Sequence, residues 1–423
     1  MKKLLAFVLA SAMMLSLAAC GGGDDNGGGG GGGGGNAGNT LTIFNTKSEI
    51  QSQMEEMAKK YSADKGVNVE VYYSNDTVAA HMATKYASND PYVLAMVDAK
   101  DIYSLGPEHA IDLSGEPWVA NTTQAISIDG KVLGFPVCIE ARGMMYNGDA
   151  IKKVTGKDFN PASVKTTADF KALLDELVAG GMAAPVGIMK EDWSLAAHFM
   201  ASFYEEHSDV QGFIDSLKAG SVSVSSDPQF NSLMDTFDVL KQYNYAASSP
   251  VAAERETSEM MLAQGDIAFM YGGNWDWALI AEYDYTDGLG MMPVPQDNSN
   301  GGNESMIGGG SKYFFIDNTA SEEMQQAAKD FLNWLVNDAE GNEFLTVTCA
   351  LVPAYSNISA ANLDPLGASV KEYADKGALI PSYNYMPDDH YAKLGAEMQK
   401  YLANQCSRDD LASAIEAYWK TVA

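Results

Sequence analysis

The chain has 423 residues, enough for more than one domain, and a hydrophobic fraction of 46% is ample for a core. Its 56 Asp and Glu outnumber 27 Lys and Arg, for a formal net charge of -29. So acidic a surface repels phosphate backbones and argues against nucleic acid as a partner.

The N-terminus predicts a secretion signal over 1–19. Lys2 and Lys3 form its charged region, and the apolar run 4–17 is too short for a typical membrane span. The run ends in Leu17-Ala18-Ala19-Cys20, which resembles a bacterial lipoprotein cleavage box. Cleavage before Cys20 would free its amine and leave its thiol for lipid, holding the protein on the outer face of the cell membrane. The alternative is an ordinary signal peptide with an incidental cysteine. The stretch 20–39, nearly pure glycine after Cys20, cannot pack a core and predicts a flexible tether. At about 5–6 Å × √n its reach is roughly 25 Å.

Residues 41–45 predict a short strand. Ile50, Met54, Met57, Ala58 and Tyr61 mark one helical face, stopped by Gly66. Val67, Val69, Val71 and Tyr73 alternate as a strand, 77–88 is helical, and 92–97 is a continuous apolar run. This β-α-β-α-β order predicts a mostly parallel sheet, whose ligands sit beyond the carboxyl ends of the strands. Those ends carry Asn45, Lys47 and Glu49, then Asp98, Lys100 and Asp101. The plainer reading is helix capping by Ser48 and Asp98.

A long extended stretch follows over 132–147, interrupted by Glu140 and Arg142. It fits a strand crossing between two domains with polar groups in a cleft. The competing reading is a surface ion pair on an edge strand. A second α/β region then begins. Thr167 caps a helix, 185–189 is a strand, and Trp193 opens a helix running to 204. Further on, 267–271 is a strand, Gly272-Gly273 a bend, and Asn274 the N-cap of a new helix. Trp275 and Asp276 stand at that turn. An indole beside an amide and a carboxylate offers a sugar an apolar face and hydroxyl partners. Trp277, on another helix face, is assigned to packing. The stretch 296–310 reads as a polar Gly-rich loop, 313–316 as a strand and 321–336 as a helix. The tail from 364 is mostly helical, with an irregular loop over 381–391 rich in Tyr, Asp and Pro that is suited to rim a cleft.

No metalloprotease, nucleophile-elbow, phosphate-loop or dinucleotide motif occurs, and the five His show no metal spacing. A glycosidase pair needs a fixed separation and one raised pKa, which sequence does not display. The expectation is a binding protein, not an enzyme, without cofactor or metal. Cys138, Cys349 and Cys406 lie far apart, without a Cys-x-x-Cys, and read as scattered buried thiols forming at most one disulfide.

Taken in order, four segments resemble the family 1 extracellular solute-binding proteins of ABC transporters, the family of maltose-binding protein. They are Leu41-Thr-Ile-Phe-Asn45, the run from Gly134 to Asn147, the run from Leu262 to Trp275, and Ala327-Ala-Lys-Asp-Phe-Leu-Asn-Trp-Leu-Val336. The resemblance runs over about 41–420. It implies an α/β, two-lobed periplasmic-binding-protein-like fold with discontinuous lobes and a hinge of crossing strands. One lobe would comprise 40–139 plus 311–355, the other 140–310 plus 356–423. The implied function is capture of a carbohydrate, an oligosaccharide by preference, in the interlobe cleft, and its presentation to a membrane permease by a monomeric, lipid-anchored protein. The same fold binding a polyamine, peptide or anion is the alternative, and a surface glycosidase a more distant one. By resemblance, Glu140 matches a sugar-bonding glutamate and Trp275 a stacking tryptophan. Trp193 falls near a stacking aromatic. Asn45, Lys47 and Glu49 fall on the first sugar-contacting loop, and Asp98, Lys100 and Asp101 on the second. Arg142, Asn274 and Asp276 join the set from their own positions. His390 or Tyr391 stands where maltose-binding protein has another tryptophan, a departure that puts maltodextrin in question.

Overall fold

The computed structural model describes residues 39–74, 76–359, 363–387 and 389–422. The predicted signal segment, Cys20 and the tether before Asn39 lie outside the described residues.

The first sheet grows from β1 (Thr40–Asn45), which pairs in parallel with β2 (Asn68–Tyr73) and β3 (Leu94–Asp98). Between β1 and β2, α1 (Gln51–Lys65) buries Met54, Met57, Ala58 and Tyr61, the helical spacing read from sequence, and ends at Gly66 with φ 71°. Helix α2 (Val78–Ala87) returns the chain to β3, and α3 (Ala99–His109) follows at once. Then come β4 (Ile126–Ile128) and β5 (Lys131–Pro136).

After Pro136 the chain changes sheets. The stretch predicted as one strand is two: β5 ends, Val137 and Cys138 cross, and β6 (Ile139–Asn147) enters a second sheet. There β6 is central, not an edge, so the reading of Glu140 and Arg142 as a surface pair on an edge is corrected. It pairs with β8 (Phe269–Gly273), β9 (Leu289–Met292) and β10 (Met306–Gly310), with β7 (Val186–Gly187) and β12 (Leu379–Ile380) outside. The chain recrosses from β10 to β11 (Lys312–Ile316), which sits between β3 and β5 in the first sheet. A third crossing segment is tied to the hinge where Ile139 N–H donates to Val352 O at 2.9 Å. The result is a two-lobed α/β fold with one sheet per lobe.

Four local readings change. Gly272 and Gly273, expected as a bend, are the last residues of β8 and pair with Gly143 and Arg142 of β6. Residues 306–310, expected to belong to the loop over 296–310, are strand. Glycine permits it: a Cβ on Gly308 would lie 2.5 Å from Glu140 O, so only a bare backbone fits this close against β6. Thr166, not Thr167, caps the helix Thr167–Ala179. Gly273, not Asn274, occupies the N-cap after β8.

Candidate functional site

A cavity of about 600 Å³ opens between the two sheets. The carboxyl end of β3 and the start of α3 supply Asp98, Lys100 and Tyr103. The crossing strands supply Glu140, Arg142 and Gly308 to Ser311, and the second lobe supplies His198, Trp275, Tyr383 and Tyr391. A smaller cavity of about 80 Å³ shares Glu140 and Trp275 and is bordered by Lys47, Glu49, Asn274, Cys138 and Cys349. Glu140 and Trp275 therefore stand at the junction of the two spaces.

The polar residues of the first lobe are largely committed to one another. Lys47 Nζ lies 2.6 Å from both Glu140 and Glu49. Burial alone would raise the Glu140 carboxyl; Lys47, the Ser311 hydroxyl and Lys312 together reverse this and hold it below the ordinary carboxylate range. Asn45 is fully buried and forms an Asx turn: its Oδ1 accepts from Lys47 N–H, and its amide donates to Lys47 O and Gln51. It shapes the Lys47 loop without reaching either cavity. Asp98 and Asp101 form the capping box of α3, as the plainer reading of these carboxylates expects, whereas Lys47 and Ile50, not Ser48, stand at the N-cap positions of the preceding turn and α1. Asp98 still lines the main cavity and pairs with Lys312 at 2.6 Å. Asp101 is buried behind it, its carboxyl pushed up to about 6 by burial and by Asp98.

The second lobe presents rings. The indole of Trp275 folds back over Gly273, where a Cβ would sit 2.3 Å from a ring carbon. Glycine at that N-cap is thus a condition of the ring's placement. Trp275 meets His198 at 5.0 Å, and these two rings line the main cavity; behind them His198 meets Trp193 at 5.2 Å. Trp193, expected at the ligand, borders neither cavity; its ring carries the Arg255 guanidinium at 4.9 Å. Arg255 is gripped by both oxygens of Asp276 at 2.6 Å, and Asp276 also accepts from Gly273 N–H. Asp276, expected at the ligand, is therefore buried as a brace for the turn, while Asn274 accepts from Ala141 N–H at 2.9 Å and faces the smaller cavity. Trp277, expected only to pack, packs edge-on against Tyr285 and also borders the smaller cavity.

Arg142 is buried beneath the main cavity. It pairs with Glu205, donates to His198 O at 3.2 Å and to Ser382 Oγ at 3.1 Å. Glu205 in turn accepts from Tyr383 N–H. This network ties the helix Trp193–Met200 to the 381–387 segment. Burial, then Arg142 and Arg255, push the His198 imidazole well below its usual pKa, so it is neutral at physiological pH. Of the two C-terminal candidates, Tyr391 lines the cavity, whereas His390 packs against Tyr204 in the core.

His198, Tyr103, Tyr383, Gln124 and Ser311 line the cavity without having been singled out from sequence. Only Tyr383 had a signal, the Tyr-rich segment around it.

A model of bacterial extracellular solute-binding proteins matches residues 56–378. The chain belongs to that family. This solute-binding protein is similar in structure to apo RafE from Streptococcus pneumoniae, with TM-score 0.73, 17% identity, and 92% of this chain and 98% of that one covered. It is also similar to a family 1 extracellular solute-binding protein from Bifidobacterium longum subsp. infantis, with TM-score 0.63, 22% identity, and coverage of 90% and 99%. A sugar transporter protein from Bacillus licheniformis in complex with stachyose matches with TM-score 0.64, 17% identity, and coverage of 90% and 99%. RafE has also been solved in complex with raffinose. Among the described residues of the solute-binding protein, no helix is long and apolar enough to cross a membrane, and no cluster of His, Cys, Asp or Glu has the arrangement of a metal site.

Proposed function

We propose that this solute-binding protein is the ligand-capturing component of an ABC importer, anchored by lipid on Cys20, and that it takes a neutral oligosaccharide between lobes 40–139 plus 311–355 and 140–310 plus 356–423. The observation that carries this reading is that Trp275 and Glu140 both line the main cavity and the smaller one beside it. A sugar offers C–H faces that stack on an indole and hydroxyls that donate to a carboxylate; stacking contributes on the order of 1 kcal/mol per ring, by analogy with aromatic pairs. Solved relatives that carry raffinose and stachyose point to the same ligand class.

Charge pairing argues for a neutral ligand over a polyamine or anion. Glu140 is matched by Lys47, Glu205 by Arg142 and Asp98 by Lys312. A charged ligand would have to break one of these pairs or stay unmatched in a half-buried site. The depressed Glu140 carboxyl lacks the proton a glycosidase acid would donate.

A thermal-shift screen of the mature protein against mono- and oligosaccharides, putrescine and a peptide tests this. A binder of the native state raises the melting temperature by mass action. A shift with an oligosaccharide is expected. A shift with putrescine or the peptide alone would replace the reading.

A further inference from the structure

Tyr103 stands on α3, which packs on the first sheet; Tyr385 stands on the segment that leaves the second sheet after β12. Their ring centroids are 5.1 Å apart, tilted at 48°. Tyr103 is half-buried and lines the main cavity, whereas Tyr385 is 56% exposed and lies outside it. The contact therefore lies where the cavity wall meets solvent, and it joins one lobe to the other.

Tyr385 is held firmly on its own side. Its ring meets that of Tyr383 at 5.7 Å. Tyr383 is fixed at both ends: its N–H donates to Glu205 at 2.9 Å and its hydroxyl to Gln211 at 2.8 Å. The neighbouring Ser382 accepts from Arg142. The buried Arg142–Glu205 pair thus stiffens an arm that ends in an exposed ring. That ring belongs to none of the hydrophobic cores, so fold stability does not explain its position. Tyrosine suits such a contact because it brings a large rigid face with only two χ angles to order.

We propose that Tyr103 and Tyr385 form an aromatic clasp between the lobes, which closes the solvent rim of the cleft, slows ligand release and limits the length of the chain the cleft encloses. The length limit rests on the carbohydrate reading; the clasp does not. A ligand that fits beneath the pair leaves it intact. A longer chain must part the rings and forfeit their contact, so closure favours short ligands through differential binding.

The test uses Tyr103→Ala, Tyr385→Ala and the double variant of the mature protein, with melting curves to check that each folds. Without ligand, small-angle scattering should show a larger radius of gyration for all three variants than for wild type. Unchanged scattering overturns the clasp. Stopped-flow release is then measured with raffinose and with stachyose, which carries one more hexose unit. Each single variant should release raffinose about two- to tenfold faster, the range of one aromatic pair, and the double variant no faster than either single. The preference of wild type for raffinose over stachyose should shrink in each variant. Unchanged or additive release rates contradict the clasp, and an unchanged preference contradicts the length limit. If wild type binds neither sugar while scattering shifts as expected, the clasp stands and the carbohydrate reading falls, together with the length limit.

Discussion

The two walls of the cleft use polar residues in opposite ways. On the first-lobe side, Asn45, Asp98 and Asp101 serve the backbone first, in an Asx turn and a capping box. On the second-lobe side, the buried charges Arg142, Glu205, Arg255 and Asp276 hold rings and a tyrosine-rich segment in place. One wall is self-satisfied polar loop; the other is an aromatic surface braced from behind by ion pairs. A polar residue at a strand end is therefore weak evidence of ligand contact until its own backbone has been satisfied.

Arg142→Ala should break this contrast most severely. It leaves Glu205 buried without its cation and frees the 381–387 segment, at a cost of about 3–5 kcal/mol in chemical denaturation. Below it comes a pH effect on the same side. Burial pushes the Glu206 carboxyl up to about 8, where it is bonded to Gln296. The folded state then holds a proton that the unfolded chain releases near the ordinary carboxyl value of 4.5, so Glu206 contributes stability that is fully present below that pH. Stability should fall as pH rises from about 4.5 through about 8, and Glu206→Gln should flatten the fall in melting curves. Trp275→Ala comes next: sugar affinity should drop at least tenfold, roughly 1.4 kcal/mol, with the melting temperature nearly unchanged. Gly273→Ala should mimic it by displacing the same ring.

The first-lobe wall should respond less. Asp98→Ala removes a capping-box carboxylate and should lower stability by about 1 kcal/mol. Glu49→Gln should be smallest, within about 1 kcal/mol, because Glu49 is 45% exposed and Glu140 still holds Lys47. An effect of Glu49→Gln on affinity as large as that of Trp275→Ala would erase the distinction between the walls.

The α/β alternation of the first lobe could be read from the sequence because α1 buries one periodic face and β1 and β3 are continuous apolar runs buried on both sides. The junction around Trp275 was also visible, since glycines at a strand end announce a close approach. The charge partners were not. Glu140 pairs with Lys47 and Arg142 with Ser382, residues distant in sequence that only the crossing of strands brings together. The strand over 306–310 was missed because its glycines signal a loop when read locally. Their strand role depends on β6 lying against them. His198 and Tyr103 carried no local pattern, since each is one residue of a helix whose orientation is set by packing.

Calorimetric titration of the mature protein with the oligosaccharide that gives the largest thermal shift, in wild type and Trp275→Ala, bears most directly on the central claim. One-to-one binding, weakened at least tenfold by the substitution in a fully folded variant, is the expected result. Equal affinity in the two proteins would show that the ligand does not stack on Trp275 and would place the binding surface elsewhere.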